Sequence, residues 1–304
     1  MSAAAAAGVT VRVPAKVNVQ LAVGAARPDG FHDLATVFLA VSLFDEVTAT
    51  PADALTVTCA GPDAGQVPLD RTNLAARAAG LLAARAGIEP AVHLHIAKNI
   101  PVAGGMAGGS ADGAAALLAC DALWGLDTPR AQLLALCAEL GSDVPFSLAG
   151  GAALGTGRGE LLTPVEAGAF HWVFAVADGG LSTPAVFREF DRLTEGVDVP
   201  APRVSPALLA ALASGDPDAL AATLANDLQP SALSLRPRLA ATLAAGTDAG
   251  ALAALVSGSG PTTAFLVRDP ESAEKVAAAL EASGTCRATR VTTSPAPGAT
   301  VING

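Results

Sequence analysis

Four glycines fall within six positions, at 104, 105, 108 and 109, inside the segment PVAGGMAGGSADGAAALLACDALW (residues 101–124). A backbone without β-carbons can approach a ligand closely and turn its N–H groups inward. Ser110 and the alanines after it predict a helix at Ser110–Leu123. A glycine loop that leads into a helix N-terminus provides unpaired N–H groups and partial positive charge, so the segment indicates a phosphate-binding site.

This loop differs from the two most familiar phosphate-binding motifs. It lacks the Gly-Lys-Ser/Thr end of a Walker loop, and it lacks the G-x-G-x-x-G spacing of a dinucleotide fold. A flexible linker or a tight turn before a helix is the alternative for any cluster of glycines. A predicted strand before the loop, an exposed Lys98 and the serine at the helix start favour phosphate binding.

The residues before the loop predict a β-rich region. Segments with apolar residues at every second position predict strands; they are VTVRV (9–13), VNVQLAV (17–23), LTVTC (55–59) and AVHLHIA (91–97). A helix is predicted at Asn73–Arg85, with Thr72 or Asn73 as its N-cap. After the loop we expect a further helix at Pro129–Leu140 and a hairpin around Gly155–Gly159.

The second half of the chain predicts a second layered unit. A strand at Trp172–Ala177 precedes a helix from about Pro184, with Thr183 as candidate cap, and alanine-rich helices follow between Ser205 and Ala245. The last part indicates strand, glycine turn, strand, helix and strand. This order predicts an α+β fold with an antiparallel sheet, and 304 residues predict two domains, at 1–165 and 166–304.

Composition limits the partners and the location of the chain. A net charge of -10 opposes broad attraction to nucleic acid or to an anionic membrane, so an anionic ligand needs local positive contacts. Four widely spaced cysteines and an N-terminus without signal-peptide features predict free thiols and a cytoplasmic protein. Tyrosine is absent from the sequence, which excludes a tyrosine acid or ligand.

Three further segments carry candidate functional residues. They are PAKVN (14–18), RPDGFHDL (27–34) and GSDVPF (141–146). Taken alone, Asp143 before Val-Pro is typical of a turn, and a single lysine such as Lys16 is typically a solvated charge. The Pro-Asp-Gly turn is expected to expose Phe31 and His32 at a loop tip.

Together these segments resemble the GHMP kinases. The resemblance rests on Val11–Phe38, on the glycine loop, on LGSDVPFSLAGGAALGTGRGELLTPV (140–165) and on VSGSGPTTAFLV (256–267), and it covers most of the chain. It implies an N-terminal ribosomal-protein-S5-domain-2-like nucleotide domain and a C-terminal ferredoxin-like α/β sandwich. It also implies a kinase that uses ATP and Mg²⁺ on a small-molecule alcohol, as a monomer or homodimer.

The form of the loop with extra glycines is similar to one branch of these kinases. That branch phosphorylates the 2-hydroxyl group of 4-diphosphocytidyl-2-C-methyl-D-erythritol in the non-mevalonate isoprenoid precursor pathway. The resemblance implies that Asp143 is the general base and that Lys16 orients it and neutralises charge on the phosphoryl group. A nearby ammonium favours the ionised carboxylate that a base requires.

The resemblance also assigns the two ends of the binding site. At the acceptor end, Asn18 bonds the substrate, Phe31 and Phe187 stack, His32 bonds the cytosine edge and Thr183 offers a hydroxyl. Phe31 stands where the family often has tyrosine, and Phe187 has core packing as its alternative. The implied ATP contacts are Asn73, Lys98, Pro101, Val102, Ala103, Gly104, Gly105, Met106, Ala107, Gly108, Gly109 and Ser110. Phosphates, water and Ser110 are expected to hold Mg²⁺.

Two other functions are compatible with parts of this pattern. Another GHMP kinase, of homoserine or mevalonate type, shares the loop but has no use for the base-recognition segment RPDGFHDL. An inactive relative that binds nucleotide, or one that binds RNA, is the third possibility. The presence of Lys16 and Asp143 and the acidic charge of the chain both oppose it.

Overall fold

The computed structural model describes residues 8–303, so most of the N-terminal stretch examined for signal features lies outside the described residues. Its strands are β1 (Val9–Ala26), β2 (His32–Pro51), β3 (Thr56–Ala60), β4 (Val92–Ala97), β5 (Ala152–Thr156), β6 (Leu161–Pro164), β7 (Phe170–Val176), β8 (Ala225–Asn226), β9 (Ala253–Val256), β10 (Thr263–Val267), β11 (Ala288–Ser294) and β12 (Thr300–Asn303). Its α-helices are α1 (Leu74–Ala86), α2 (Gly108–Trp124), α3 (Arg130–Leu140), α4 (Val144–Ala149), α5 (Thr183–Leu193), α6 (Pro206–Ser214), α7 (Pro217–Ala221), α8 (Gln229–Leu235), α9 (Arg238–Asp248) and α10 (Pro270–Ser283).

A long antiparallel pair, β1 and β2, forms the centre of the first sheet. The sheet has the order β12-β1-β2-β4-β3, with β5 on β2, β6 on β5 and β8 on β1. The two predicted strands at 9–13 and 17–23 are one strand, in which the pairing register shifts between Pro14 and Ala15. Such a bulge accommodates a proline and changes the direction of the next side chains. The next residue along the strand is Lys16.

The second sheet confirms the predicted α+β architecture. It has the antiparallel order β11-β7-β10-β9, and α9 and α10 pack against it. Side chains from both sheets join a single apolar core; Trp172 and Phe174 of β7 lie in the same cluster as Val17 of β1. The site described below therefore stands on a continuous packed support.

The chain crosses between the two sheets more than once. Strand β12 pairs with β1 of the first sheet, although it follows the second sheet in sequence. Arg287 donates two hydrogen bonds, of 2.6 and 2.9 Å, to the buried Asp63, and this contact holds the pKa of Asp63 below its ordinary value.

The domain boundary predicted between residues 165 and 166 stays a prediction.

Helix starts were only partly predictable. Asn73 is the N-cap of α1: its side-chain oxygen accepts from Ala75 N at 2.8 Å, and its amide nitrogen donates to the Pro68 carbonyl at 2.7 Å. The prediction that Thr183 caps α5 was wrong. Ser182 occupies that position, and Thr183 is the first helical residue. Pro184 is compatible with a helix that begins at either Thr183 or Pro184, because backbone N–H groups in the first helical turn have no partner within the helix and proline lacks this group.

A buried cluster supports the segment that enters the glycine loop. Lys98 Nζ donates to Asp45 at 2.5 Å and to Asp112 at 2.7 Å, while Asp45 accepts from the backbone N–H groups of Asn99 and Ile100. The prediction that Lys98 is exposed was wrong, since it is only 2% exposed. The alternating pattern of β4 did not include Lys98, which lies one residue past the strand and points into the protein.

The cluster contains two carboxylates and one ammonium. Burial raises the pKa of Asp112 to about 8, and the neighbouring Asp45 carboxylate adds to the effect while Lys98 opposes it. The excess of negative charge therefore favours a bound proton on the cluster.

Within residues 8–303, none of the helices is both long enough and apolar enough to cross a membrane. Cys59, Cys120, Cys137 and Cys286 are free thiols, as predicted.

Two helical glycines predict opposite effects of the same substitution. A β-carbon at Gly80 in α1 meets no atom of residues 8–303 beyond its own helix backbone within 4 Å, whereas one at Gly246 in α9 lies 2.2 Å from the Phe265 ring. Gly80→Ala should therefore raise the free energy of unfolding by about 0.5–1 kcal/mol through helix propensity. Gly246→Ala should lower it by about 1–3 kcal/mol through overpacking. Urea unfolding of both variants measures the effects, and equal effects would contradict this packing.

The raised pKa of Asp112 predicts how stability depends on pH. The native state retains a proton that the unfolded chain releases near pH 3.8, so stability should fall as pH rises from about 4 to about 8. Asp112→Asn should make the free energy of unfolding less dependent on pH in this range, measured by urea unfolding at several pH values. Asp218→Asn is the control, because its bond from Arg268 lowers the pKa and moves any effect to more acidic pH. An unchanged slope in Asp112→Asn would refute the assignment.

Candidate active site

A cavity of about 860 Å³ collects most of the predicted site residues. Its lining comes from β1, the start of β2, the glycine loop, the start of α4, the β5–β6 turn, the start of α5 and the turn at residues 258–260. A second cavity, of about 660 Å³, lies beside the segment 197–203. Among the described residues that line it, none was predicted for the site. The first cavity is therefore the candidate active site.

Lys16 and Asp143 lie beside each other in this cavity. Lys16 Nζ lies 3.6 Å from Asp143 Oδ2, and the Lys16 side chain is 6% exposed while that of Asp143 is 32% exposed. Burial lowers the pKa of Lys16, and the Asp143 carboxylate opposes this shift. The pair thus combines an enclosed cation with a carboxylate that an entering ligand can reach.

Asp143 owes its position to α4, a short helix that the sequence did not predict. It stands at the N-cap of this helix, and within residues 8–303 its side chain makes no capping hydrogen bond. Pro145 lies in the first helical turn, where a missing N–H has no cost. Asp143 therefore stands at the start of a helix and not in a simple turn, and its carboxylate faces the cavity.

Asn18 holds Lys16 in place. Lys16 Nζ donates to Asn18 Oδ1 at 2.6 Å, and Asn18 Nδ2 donates to the Thr36 hydroxyl at 2.7 Å. The Thr36 hydroxyl in turn donates to the Gln20 carbonyl at 2.9 Å. Asn18 and Thr36 also line the cavity. The predicted same-face relation of residues 16 and 18 on one strand is confirmed by this contact.

The glycine loop packs against a turn from the C-terminal part of the chain. A β-carbon on Gly105 would lie 2.1 Å from the Ser257 carbonyl oxygen, and Gly105 has a φ of +76°. The Gly105 carbonyl accepts from Lys16 Nζ at 3.0 Å and from the Ser257 hydroxyl at 3.1 Å. Glycine at this position is therefore required by contacts inside the protein. These contacts within the protein hold the loop in position.

The start of α2 remains open to the cavity. Gly108 and Gly109 begin the helix, and among the described residues outside that helix an added β-carbon on Gly109 would contact only Leu74 within 4 Å, at 3.7 Å. The first N–H groups of an α-helix have no partner within the helix and attract anions. The geometry therefore supports a phosphate site at the predicted place.

The predicted ATP contacts divide into two groups. The cavity is lined by Ala103, Gly104, Gly105, Ala107, Gly108, Gly109 and Ser110. Outside this lining lie Asn73, Lys98, Pro101, Val102 and Met106. Met106 is fully buried, and its carbonyl accepts from Lys16 N at 3.3 Å. Lys98 anchors the start of the loop and Asn73 caps α1, and direct contact of any of these five residues with ATP stays a prediction.

The acceptor end of the cavity contains three rings. His32 is 6% exposed, so the prediction that it lies at an exposed loop tip was wrong; Phe31 is 48% exposed. His32 begins β2, donates from Nδ1 to the Gly24 carbonyl at 2.8 Å and stacks on Phe187 with ring centroids 5.1 Å apart. His32 Nε2 lies 3.3 Å from Asp191 Oδ1. The imidazole is thus held rigidly at the cavity wall.

Phe187 and Thr183 both face the cavity from α5. Phe187 also packs against a small apolar cluster that includes Leu21 and Phe190, so its core-packing role and its position in the site coexist. The Thr183 hydroxyl lies 2.8 Å from the Ser259 hydroxyl.

Several lining residues were not predicted. Phe38 lies with its ring centroid 5.8 Å from Lys16 Nζ, and Arg158 lies over the Phe31 ring. A β-carbon on Gly258 would lie 3.1 Å from Lys16 Nζ. The segments that contain residues 158 and 258 were recognised as motifs, but nothing in their local pattern indicates which side chains reach the cavity.

Magnesium fits this site mainly through the nucleotide. Within residues 8–303, no group of three or more histidine, cysteine or acidic side chains is arranged to hold a metal ion. The oxygen donors that line the cavity include the Ser110 hydroxyl, which stands next to the open helix start, and the Asp143 carboxylate. Hydroxyl, carboxylate and phosphate oxygens are suitable ligands for Mg²⁺, which binds few protein groups when phosphates are present.

The chain matches two family models. One, described as "GHMP kinases N terminal domain", matches residues 73–151, and the other, "GHMP kinases C terminal", matches residues 208–286. Among solved structures, a crystal structure of 4-(cytidine 5′-diphospho)-2C-methyl-D-erythritol kinase superposes with a TM-score of 0.76 at 34% identity, covering 94% of this chain and 99% of the other. A homoserine kinase from Cytophaga hutchinsonii superposes with a TM-score of 0.75 at 20% identity over 97% of each chain, which shows a shared fold.

Curated relatives are more similar. The chain is 76% identical to the 4-diphosphocytidyl-2-C-methyl-D-erythritol kinase of Streptomyces avermitilis, over 97% of this chain and 99% of that protein. It is 56% identical to the protein of the same name from Mycobacterium tuberculosis, over 97% of this chain and 93% of that protein. The chain therefore belongs to the 4-diphosphocytidyl-2-C-methyl-D-erythritol kinase family of the GHMP kinases.

Proposed function

We propose that this chain transfers the γ-phosphoryl group of ATP to the 2-hydroxyl group of 4-diphosphocytidyl-2-C-methyl-D-erythritol, a step of the non-mevalonate isoprenoid precursor pathway. One observation carries the proposal. A single cavity joins the open start of α2, the Lys16–Asp143 pair and the cluster of Phe31, His32 and Phe187. One cavity thus contains groups that can bind phosphate, groups that can transfer a proton and rings that can stack on a planar base.

Each part of the cavity has a distinct role in the proposed reaction. Asp143 accepts the proton of the acceptor hydroxyl. The hydroxyl oxygen then forms a bond to the γ-phosphorus while the bond between this phosphorus and the bridging oxygen breaks and ADP leaves. Lys16 stabilises negative charge on the transferring phosphoryl group, and Asn18 keeps the ammonium directed towards the site. The helix start binds ATP phosphates. Mg²⁺, when bound with ATP through Ser110, would neutralise part of the phosphate charge.

The acceptor end supplies specificity. Phe31 and Phe187 offer ring faces for stacking. His32 Nδ1 is bonded to the Gly24 carbonyl, so Nε2, beside Asp191, is the ring nitrogen that can contact the edge of a base. Binding energy from the base holds the reacting hydroxyl near Asp143. Homoserine and mevalonate lack a base and cannot use these contacts.

The proposed substrate can be tested directly. Purified protein with ATP and Mg²⁺ should release ADP when 4-diphosphocytidyl-2-C-methyl-D-erythritol is added, and not when homoserine or mevalonate is added, because only the first has the stacking base. A coupled assay for ADP measures this. ADP release with homoserine or mevalonate, and none with the cytidine substrate, would overturn the named substrate while leaving a kinase.

The role of Asp143 predicts a loss of turnover without a loss of structure. Asp143→Asn keeps the shape of the side chain but removes the base, so kcat should fall by about 10²–10⁴-fold. Thermal stability should fall only slightly, because the Asp143 side chain is partly exposed and the Lys16 ammonium keeps its bonds to Asn18 and to the Gly105 carbonyl. The matched control is Asp191→Asn, a carboxylate of the same cavity, which should raise the KM for the acceptor through its contact with His32 but leave kcat near that of the wild type. A kcat near that of the wild type in Asp143→Asn would remove Asp143 from the mechanism.

The helix start predicts a separate effect on ATP. Gly109→Val adds a side chain where the protein itself leaves room, so the fold should survive while phosphate access is blocked. ATP affinity should fall while cytidine affinity stays within about twofold, measured by calorimetric titration of each ligand alone. Equal loss of both ligands would indicate a general disruption of the cavity.

A further inference from the structure

Arg158 is the cation at the acceptor end of the cavity whose position is fixed by a ring contact. It lies in the turn that joins β5 to β6, and its guanidinium carbon is 5.0 Å from the centroid of the Phe31 ring. Arg158 N donates to Glu160 Oε2 at 2.7 Å, which fixes the turn. The ion pair between Arg158 Nε and Glu160 is 3.6 Å long, beyond hydrogen-bond distance. The guanidinium thus keeps the capacity to bind a further anion.

The turn that holds Arg158 extends along the cavity from the base end towards the catalytic end. The Gly157 carbonyl accepts from Leu34 N at 2.8 Å, close to His32 in sequence. A β-carbon on Gly159 would lie 3.5 Å from Phe38, whose ring lies under the Lys16 ammonium. The backbone on either side of Arg158 therefore contacts β2 near the base end and the ring beneath Lys16, and the guanidinium itself lies against Phe31.

The charge of the chain makes this position significant. With a net charge of -10, the protein can attract an anionic acceptor only through local cations. In the proposed acceptor, a diphosphate connects the cytidine to the sugar alcohol that reacts. Its charge must lie between the base and the reacting hydroxyl group. Arginine presents several N–H donors in a planar fork, which suits phosphate oxygens.

We propose that Arg158 binds the diphosphate of the acceptor while its guanidinium packs on Phe31, and that it thereby determines specificity for phosphorylated cytidine compounds. This assignment rests on the proposed function and adds a specificity-determining residue to it. Arg188 also lines the cavity from α5, but within the described part of the chain it has no ring contact of the kind that Arg158 makes with Phe31.

The test compares charged and uncharged ligands that carry the same base. Calorimetry should measure binding of CDP and of cytidine to the wild type and to Arg158→Gln. Loss of charge-assisted hydrogen bonds should weaken CDP binding by about tenfold or more and cytidine binding by less than about twofold. In the kinase assay, KM for the acceptor should rise with kcat nearly unchanged. Arg158→Lys should restore part of the CDP affinity, because it keeps the charge.

Arg12→Gln is the matched control. Arg12 also lies over a phenylalanine, Phe44 at 5.7 Å, and also pairs with a glutamate, Glu46, but it stands outside the cavity. Arg12→Gln should leave the affinities for CDP and cytidine and the KM for the acceptor unchanged. Because both variants remove one positive charge, this comparison distinguishes a local contact of Arg158 from an effect of net charge.

Three results would contradict the assignment. If Arg158→Gln weakens the binding of CDP and of cytidine equally, Arg158 acts on the base. If the affinity for CDP is unchanged, Arg158 does not contact the diphosphate. A wild type that binds neither ligand and releases no ADP with the acceptor would overturn the proposed function itself. If the wild type binds both CDP and cytidine and Arg158→Gln binds them equally well, only the role of Arg158 is overturned.

Discussion

The buried ammonium of Lys16 is the contact on which the site depends. A charge that is removed from water needs partners, and here they come from three separate parts of the chain: Asn18 on β1, the Gly105 carbonyl in the glycine loop and Asp143 before α4. The Gly105 carbonyl and Asp143 fix the glycine loop and the start of α4 relative to β1, on which Lys16 and Asn18 both lie. The geometry that places a cation beside a carboxylate is therefore the same geometry that joins the loop, the strand and the short helix.

The glycines of the loop serve the protein as well as its ligand. At Gly105 a β-carbon would collide with the Ser257 carbonyl, whereas at Gly109 it would remain free on the protein side. One glycine is therefore required by the close approach of the C-terminal turn, and the other keeps the helix start accessible. Because Gly258 of the same turn approaches Lys16, the two halves of the chain meet at the reacting centre. A loop held in this way loses little freedom when phosphate binds.

The sequence predicted the local elements well and the distant contacts poorly. Helix α2 and the strands β4 and β10 follow from local periodicity and lie where expected. Strand β2 was missed because much of it is buried on both faces, which removes the alternation that marks a half-buried strand. The pair of Lys16 and Asp143 was found through motifs, and the structure brings them together. The burial of His32 depends on residues far away in sequence, which no local pattern shows.

Asp45 is one such distant residue, and it explains the electrostatics beneath the loop. It comes from β2, 53 residues before Lys98, and it accepts hydrogen bonds from that lysine and from the backbone entering the loop. Two ionised carboxylates and one ammonium would leave a net negative charge under a phosphate site, where it would oppose the ligand. The raised pKa of Asp112 lets one proton remove that charge. The cluster can then anchor the loop rigidly without repelling the phosphates that the loop is built to bind.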